Sequence, residues 1–267
     1  MTHQQILDKA VSRFTARAMD EELAYLVFNA MCGVKHNWAD SVKGYVLPKL
    51  LMRWNCLLED NEVKQTDKQA TILCMAVLLH KYGIVDDEII QNTIKAIDGL
   101  NEAIVLSEDF ERKSGKIKEF LLTPPTELKR KPSVPDTMTF YREKDIITIK
   151  VNGKYGAAYI HTITGYNEAP VIEIYDYAFD HMPTLDELKG KKALSQKFND
   201  GSECIGFYKI SGLKYMPDPA NQIHLIAACV DEKPVNSHLK KSIGLWTGSD
   251  VFDLQDKMSR IIMANSK

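Results

Sequence analysis

The chain has 267 residues, of which 45% are hydrophobic and 26% charged, with a net charge of −2 and a sequence pI of about 6.4. This composition excludes a disordered chain, and the near-neutral charge argues against nucleic-acid binding by the whole protein. The longest apolar run, Ala70 to His80, has about half of the roughly 20 residues that a bilayer-spanning helix requires, so we expect no membrane segment.

Residues 1–122 show the 3.6-residue periodicity of amphipathic helices. Capping signals predict where these helices begin and end. One helix is predicted to start at Asp20-Glu21-Glu22 and stop at Gly33, and the next to start at Asp40-Ser41. A third is predicted to start at a capping box of Thr66 with Gln69 and stop at Gly83. A fourth is predicted to start at Asp86 and stop at Gly99, and the last lies near Glu108 to Leu122. Five or six helices with short connections predict a helical bundle.

Residues 123–135 contain four prolines and the basic run Lys129-Arg130-Lys131. Proline excludes both helix and sheet interior, so this segment is predicted to be a linker. The predicted domains are therefore a helical domain over 1–122, a linker over 123–135 and a β-rich domain over 136–267.

After the linker the hydrophobic period changes from 3.6 to 2. Ile147, Ile149 and Val151 fall on one strand face, and Asn152-Gly153 then predicts a type I′ hairpin turn. Further strands follow, with a short helix capped by Thr184 and Glu187 and a final helix after Ser249-Asp250. The predicted fold class is α+β, with an N-terminal helical bundle followed by a C-terminal antiparallel β-sheet or barrel-like domain with a terminal helix.

The charge is unevenly spread along the chain. Residues 1–111 hold 11 Lys/Arg against 17 Asp/Glu, whereas residues 112–150 hold 10 against 5 and residues 151–267 hold 13 against 14. The acidic lobe is either solvated surface or a face for a cationic partner. The acidic residues at helix ends are Glu59, Asp60 and Glu62, and Asp86, Asp87 and Glu88.

The five cysteines have no paired metal-ligand spacing, so no zinc site is predicted. Cys32, Cys56, Cys74, Cys204 and Cys229 all lie in apolar runs and are predicted to be reduced core residues. Reduced cysteines and the absence of a signal-peptide pattern at the N-terminus indicate a cytoplasmic protein.

Candidate catalytic residues are few. The best set is His161, Asp176, Asp180 and His181, whose imidazoles and carboxylates could bind a divalent metal or form an acid–base pair. Polar residues are also expected in such a loop, and no phosphate-binding loop or serine-hydrolase elbow occurs. We therefore expect no enzymatic activity, metal or cofactor, with a metal-dependent hydrolase using His161, Asp176 and His181 as the alternative.

Tyrosines are concentrated in the β-rich half. Tyr155, Tyr159 and Tyr177 alternate along predicted strands, where one row of side chains can remain exposed. Exposed tyrosine is suited to a protein interface. A base-stacking face for RNA would look similar but would also need a basic groove, which the near-neutral charge of this half does not favour.

The β-rich half resembles the immunity protein 26 family of bacterial polymorphic-toxin systems over residues 139–220. The resemblance lies in KDIITIKVNGKYGAAYIHTITG, PVIEIYDYAFDHMPTLDELKG and FYKISGLKYMP. The positions that match the family pattern are Asp145 to Val151, Gly153 to Ile160, Ile172 to Asp176 and Pro183 to Leu188. Lys150 stands where that family usually has a proline.

The resemblance implies a cytoplasmic protein that binds and neutralises a cognate toxin domain without an enzymatic step. A nuclease toxin would suit an acidic inhibitor, because a nuclease cleft is basic. The expected partner is then a basic protein domain, with no nucleic acid, membrane or small-molecule substrate. The residues expected to bind it are the six acidic residues at the helix ends and the three tyrosines named above.

Overall fold

The computed structural model describes residues 1–103, 106–134, 138–198, 200–242, 244 and 246–265. The chain divides into two compact units, one of Met1–Leu51 with Leu57–Pro135 and one of Met52–Cys56 with Asp136–Lys267. The described linker residues, 123–134, contain no helix or strand and belong to the first unit. That 1–122 and 136–267 fold as independent cores stays a prediction.

Helices make up the first half of the chain, as predicted. They are α1 (His3–Ala10), α2 (Arg13–Lys35), α3 (Val42–Leu58), α4 (Gln65–Lys81), α5 (Asp87–Glu102) and α6 (Glu108–Leu122). Within the first unit α4 is central, because every residue from Leu73 to His80 is buried and α4 contacts α1, α2, α5 and α6. A helix that is apolar all round is expected at the centre of a core.

Three helix ends lie where local capping signals in the sequence predict them. Asp86 accepts a hydrogen bond from the backbone amide of Ile89 and so begins α5, and Ser107 does the same for Phe110 at the start of α6. Gly83 follows α4 with a φ of +76°, a conformation that glycine adopts without steric cost.

Two predicted boundaries in α2 are wrong. Asp20-Glu21-Glu22 lies inside α2, which begins at Arg13 after the capping residue Ser12. Gly33 does not end the helix either. A Cβ on Gly33 would lie 2.8 Å from the Trp38 ring, so the glycine allows the following loop to pack closely.

The predicted capping box of Thr66 with Gln69 and the stop at Gly99 are also wrong. Helix α4 begins one residue before Thr66, after Lys64, which makes no side-chain cap. Helix α5 continues past Gly99, and a Cβ there would lie 2.0 Å from the side-chain amide nitrogen of Gln69. Gln69 and Gly99 thus serve the packing of α4 against α5.

The second unit is a mixed sheet with helices. Its elements are β1 (Ile146–Val151), β2 (Lys154–Thr164), β3 (Ala169–Ile174), α7 (Leu185–Leu188), β4 (Ser195–Lys197), β5 (Glu203–Ile205), β6 (Phe207–Ser211), β7 (Ile223–Ala227), β8 (Thr247–Asp250) and α8 (Val251–Asn265). Six strands pair in the order β7-β1-β2-β3-β6-β8, and β4 pairs with β5 separately. The α+β class is confirmed, but the expectation of an antiparallel sheet needs correction because β6 and β8 are parallel.

The predicted hairpin between β1 and β2 is confirmed. Asn152 and Gly153 have φ of +51° and +76°, as a type I′ turn requires, and Val151 pairs with Lys154. The capping box of Thr184 with Glu187 at α7 is also confirmed.

The two faces of the six-stranded sheet are covered differently. Helix α8 packs on one face, contacting β1, β2, β6 and β8, and Met258 lies directly over Gly156. The opposite face carries Tyr159, Tyr175 and Phe179 in a second apolar cluster. The sheet therefore has apolar side chains packed against both of its faces.

No helix in the described residues has both the length and the apolar character needed to cross a membrane.

Candidate functional site

The first acidic cluster, Glu59, Asp60 and Glu62, lies in the connection between α3 and α4. The Asp60 carboxylate accepts a hydrogen bond from the backbone amide of Glu62 at 3.0 Å, which fixes the turn. Glu59 and Glu62 are exposed, and neither forms an ion pair with any residue that the structure describes. Their charges are therefore presented to solvent.

The second acidic cluster, Asp86, Asp87 and Glu88, lies at the start of α5. Burial alone would raise the pKa of Asp86, but hydrogen bonds from the backbone amide of Ile89 and from Lys43 outweigh it and hold that pKa below its ordinary value. Asp87 and Glu88 are exposed and without an ion pair in the described part of the chain.

Helix α4 separates the two clusters. It has 17 residues, which at 1.5 Å per residue is a length of roughly 25 Å. A compact binding epitope at one end of α4 would therefore not include both clusters.

The three tyrosines differ in what they can offer a partner. Tyr159 is 5% exposed, and its hydroxyl donates to the carbonyl of Val230 at 3.2 Å, so its side chain belongs to the core. Tyr155 is half-buried against the same cluster. Tyr177 is 38% exposed, and the Lys191 ammonium lies over its ring, 3.8 Å from the ring centroid. A role in binding stays a prediction for all three, but burial of Tyr159 corrects the expected exposed row.

A polar cluster of His161, Glu173 and Asn236 lies on the aromatic side of the sheet. Glu173, on β3, is fully buried, and its two carboxylate oxygens accept from His161 Nε2 and Asn236 Nδ2, each at 2.8 Å. His161 is the extra residue where the β2–β3 register shifts, and its ring meets Tyr159 and Phe207 edge-on.

This geometry assigns the proton on the imidazole. Because a carboxylate only accepts, Nε2 of His161 carries the hydrogen of this bond. The His161 side chain is 23% exposed. The arrangement fixes the orientation of the imidazole, although no nucleophilic side chain among the described residues is bonded to it.

The other residues of the alternative hydrolase have separate partners. His181 Nε2 bonds to Glu187 at 2.8 Å, and Asp180 pairs with Lys154 at 3.3 Å. Asp176 is exposed. In the part of the chain that the structure describes, no three His, Cys, Asp or Glu residues form a group that could hold a metal ion. The structure thus does not gather His161, Asp176 and His181 into one site.

Sequence reasoning missed Glu173 and Asn236. Glu173 had a signal, since it is the charged residue in the run APVIEI of β3. A charge in a buried strand requires a partner. No signal in the sequence pointed to Asn236, because it is 63 residues from Glu173 along the chain.

All five cysteines are free thiols, but they are not all core residues. Cys56, Cys74 and Cys204 are buried as predicted, whereas Cys32 is half-buried and Cys229 is exposed. Burial raises the pKa of Cys56 to about 11 and that of Cys74 to about 12. These two thiols are therefore protonated and unreactive near neutral pH.

No family model, curated protein or solved structure matches the chain.

Proposed function

We propose that the chain is a binding protein that captures and neutralises a basic toxin domain in the cytoplasm of the bacterium that makes both. The observation that carries this proposal is that Glu59 and Glu62 in one cluster, and Asp87 and Glu88 in the other, are exposed and form no ion pair with a described residue. The resemblance of residues 139–220 to an immunity family supports it independently.

Unpaired surface charge acts mainly on the rate of association. A cluster of like charges attracts an oppositely charged partner over about a Debye length and raises the rate of encounter, most strongly at low ionic strength. Charges at the rim of an interface therefore change the on-rate more than the off-rate. A basic toxin domain would therefore be captured faster, most clearly at low salt.

The proposal requires a gene for a large secreted protein directly upstream of this chain, and the C-terminal domain of that protein is the probe in the experiment. The variant Glu59→Lys/Glu62→Lys should slow association at low salt by about tenfold or more, since each substitution replaces attraction with repulsion. The matched control is Glu119→Lys/Glu127→Lys, which reverses two exposed carboxylates of the same unit that lie outside both clusters. Stopped-flow kinetics at two salt concentrations measures the association rate of the variant and of its control.

A second variant, Asp87→Asn/Glu88→Gln, tests the other cluster without placing a cation at the start of α5. Circular dichroism confirms that each variant is folded. The proposal fails if the wild-type chain neither binds the toxin domain nor protects cells that express it. Equal rates for both cluster variants, the control and the wild type would exclude the acidic clusters as the docking surface.

The alternative of a metal-dependent hydrolase has no comparable geometric support. Metal analysis of the purified chain tests it directly. One zinc or manganese per chain that is lost in His161→Ala would establish the alternative.

A further inference from the structure

A groove of about 440 Å³ opens beside the first acidic cluster, within the first unit. The α1–α2 turn, the last turn of α3, the start of α4 and the end of α5 form its walls. Apolar side chains predominate in the lining, among them Leu57, Val63, Ala70 and Leu100. Leu57 and Val63 flank the segment that carries Glu59 and Glu62, so the apolar recess and the exposed carboxylates adjoin.

The charge at this groove is negative. Asp67 lines it and is exposed, and the connection from α3 to α4 holds the carboxylates of Glu59, Asp60 and Glu62 against the single ammonium of Lys64, which leaves a negative balance. The cation in the lining is Lys9, which is ion-paired with Asp109 and so contributes little free positive charge. An apolar recess with an anionic edge complements an apolar side chain flanked by cationic ones.

Two other recesses that the described residues of this unit form lack that combination. The cavity beside Asp86 has a volume of about 10 Å³, too small for a side chain. The groove between α1 and α2 has about 440 Å³, but Arg13 and Arg17 line it together with Asp8 and Asp20, so its charges balance. Charge and an apolar recess therefore coincide at the Glu59–Glu62 end of α4.

We propose that this groove receives an apolar side chain from a basic segment of the partner, and that the Glu59–Glu62 end of α4 is the docking end. The inference rests on the proposed function and makes it more specific. Carboxylates steer the basic segment toward the surface, and the recess then holds one apolar anchor. The two roles are separable, because the carboxylates govern association and the buried anchor governs dissociation.

The first test uses synthetic peptides on the full-length chain labelled with ¹⁵N. The probe is Lys-Lys-Leu-Lys-Lys with blocked ends, and its controls are Lys-Lys-Ala-Lys-Lys and Glu-Glu-Leu-Glu-Glu. We expect the leucine peptide to shift the amide signals of Thr66, Asp67 and Ala70. The alanine peptide should bind at least tenfold more weakly, and the glutamate peptide should cause no shift. Absence of shifts at these residues with the leucine peptide at millimolar concentration would overturn the proposal.

The second test fills the groove. Ala70 and Ala16 are both half-buried helix residues, but Ala70 lines the groove beside Glu62 and Ala16 lines the groove between α1 and α2. Ala70→Phe should weaken binding of the leucine peptide at least tenfold, whereas Ala16→Phe should leave it within twofold. The reverse result would place the anchor in the other groove and overturn the proposal.

A charge variant keeps the test decisive if Ala70→Phe does not fold. Glu59→Gln/Glu62→Gln should weaken binding of the leucine peptide at low salt, whereas Glu119→Gln/Glu127→Gln, at two exposed carboxylates away from the groove, should not. If the two double variants weakened peptide binding equally, the proposed docking groove would be wrong.

The failures of the two proposals are distinguishable. If the toxin domain binds and Ala70→Phe leaves its affinity unchanged, the groove is wrong and the proposed function stands. If the peptides bind in the groove and the toxin domain does not bind, the proposed function is wrong.

Discussion

Arg53 and Asp218 form a buried ion pair within the second unit. Arg53 Nη1 and Nη2 donate to the two carboxylate oxygens of Asp218 at 2.7 and 2.6 Å, and both side chains are 3% exposed. Breaking such a pair leaves one charge buried without compensation. We expect Arg53→Met to lower the free energy of unfolding by about 3–5 kcal/mol, measured by urea denaturation.

An exposed pair provides the control for Arg53. Lys189 lies 2.6 Å from Asp186, with both side chains more than half exposed. Water and salt screen such a pair, so Lys189→Met should leave the urea midpoint nearly unchanged. Similar losses for the two variants would mean that burial does not decide the strength of the Arg53 pair.

His3 and His80 form a hydrogen-bonded pair in the first unit. His80 Nε2 lies 3.0 Å from the carbonyl of Thr123 and must donate to it, so His80 Nδ1 accepts from His3 Nε2 at 2.9 Å. Burial, then the neighbouring His80 and Lys81, lowers the pKa of His3 below its ordinary 6.5. The unfolded chain therefore takes up the proton more readily than the folded one.

The sign of the pH dependence follows from that shift. The contribution of His3 to stability is fully present above about pH 6.5 and is lost as the pH falls toward the lower pKa of the folded state. We expect the free energy of unfolding to decrease between pH 7.5 and 5 by less in His3→Gln than in the wild type. His36→Gln, at an exposed histidine, should retain the wild-type slope. An unchanged slope in His3→Gln would refute the assignment.

At the scale of elements, the contact between α8 and β2 depends on Gly156. A Cβ at this position would lie 2.4 Å from the sulfur of Met258, which is fully buried. Gly156→Ala should therefore cost about 1–3 kcal/mol through overpacking, measured by chemical denaturation. Because the clash is with one side chain, the same change made in a Met258→Ala background should cost little or nothing. Equal costs in both backgrounds would show that the backbone of α8, and not Met258, limits the approach.

The elements that the sequence predicted are those with a local cause. Strand β1, the Asn152-Gly153 turn, the Thr184 capping box and α6 each follow from residues a few positions apart. The errors arose where distant segments decide. Gln69 packs against Gly99 across two helices, and β8 joins the sheet beside β6 in parallel after the intervening residues 212–246.

The same distinction holds for the candidate sites. Exposure of Glu59 and Glu62 follows from their place in a polar connection between helices, so the sequence located them. Burial of Tyr159 and the bonding of Glu173 to Asn236 depend on which loops cover the sheet face. Periodicity within one strand does not contain that information, because it says which residues share a face but not what covers it.

At the scale of the whole molecule, the segment 123–134 offers a test of domain independence. Lys129, Arg130 and Lys131 are exposed and lie outside any helix or strand. Trypsin cleaves after lysine and arginine unless proline follows, as it does at Lys131. We therefore expect the first cuts after Lys129 and Arg130, because an exposed segment without secondary structure fits most easily into the active site of a protease.

Mass spectrometry of the digest over time identifies the first cuts. If 1–122 and 136–267 are independent cores, both fragments should persist after the first cut, since their remaining sites lie mainly in folded structure. The variant Lys129→Gln/Arg130→Gln should delay this cut without exposing new sites. Rapid degradation of either fragment after the first cut would show that it does not fold alone. Protection of residues 129–130 together with early cuts inside both halves would contradict the predicted linker itself.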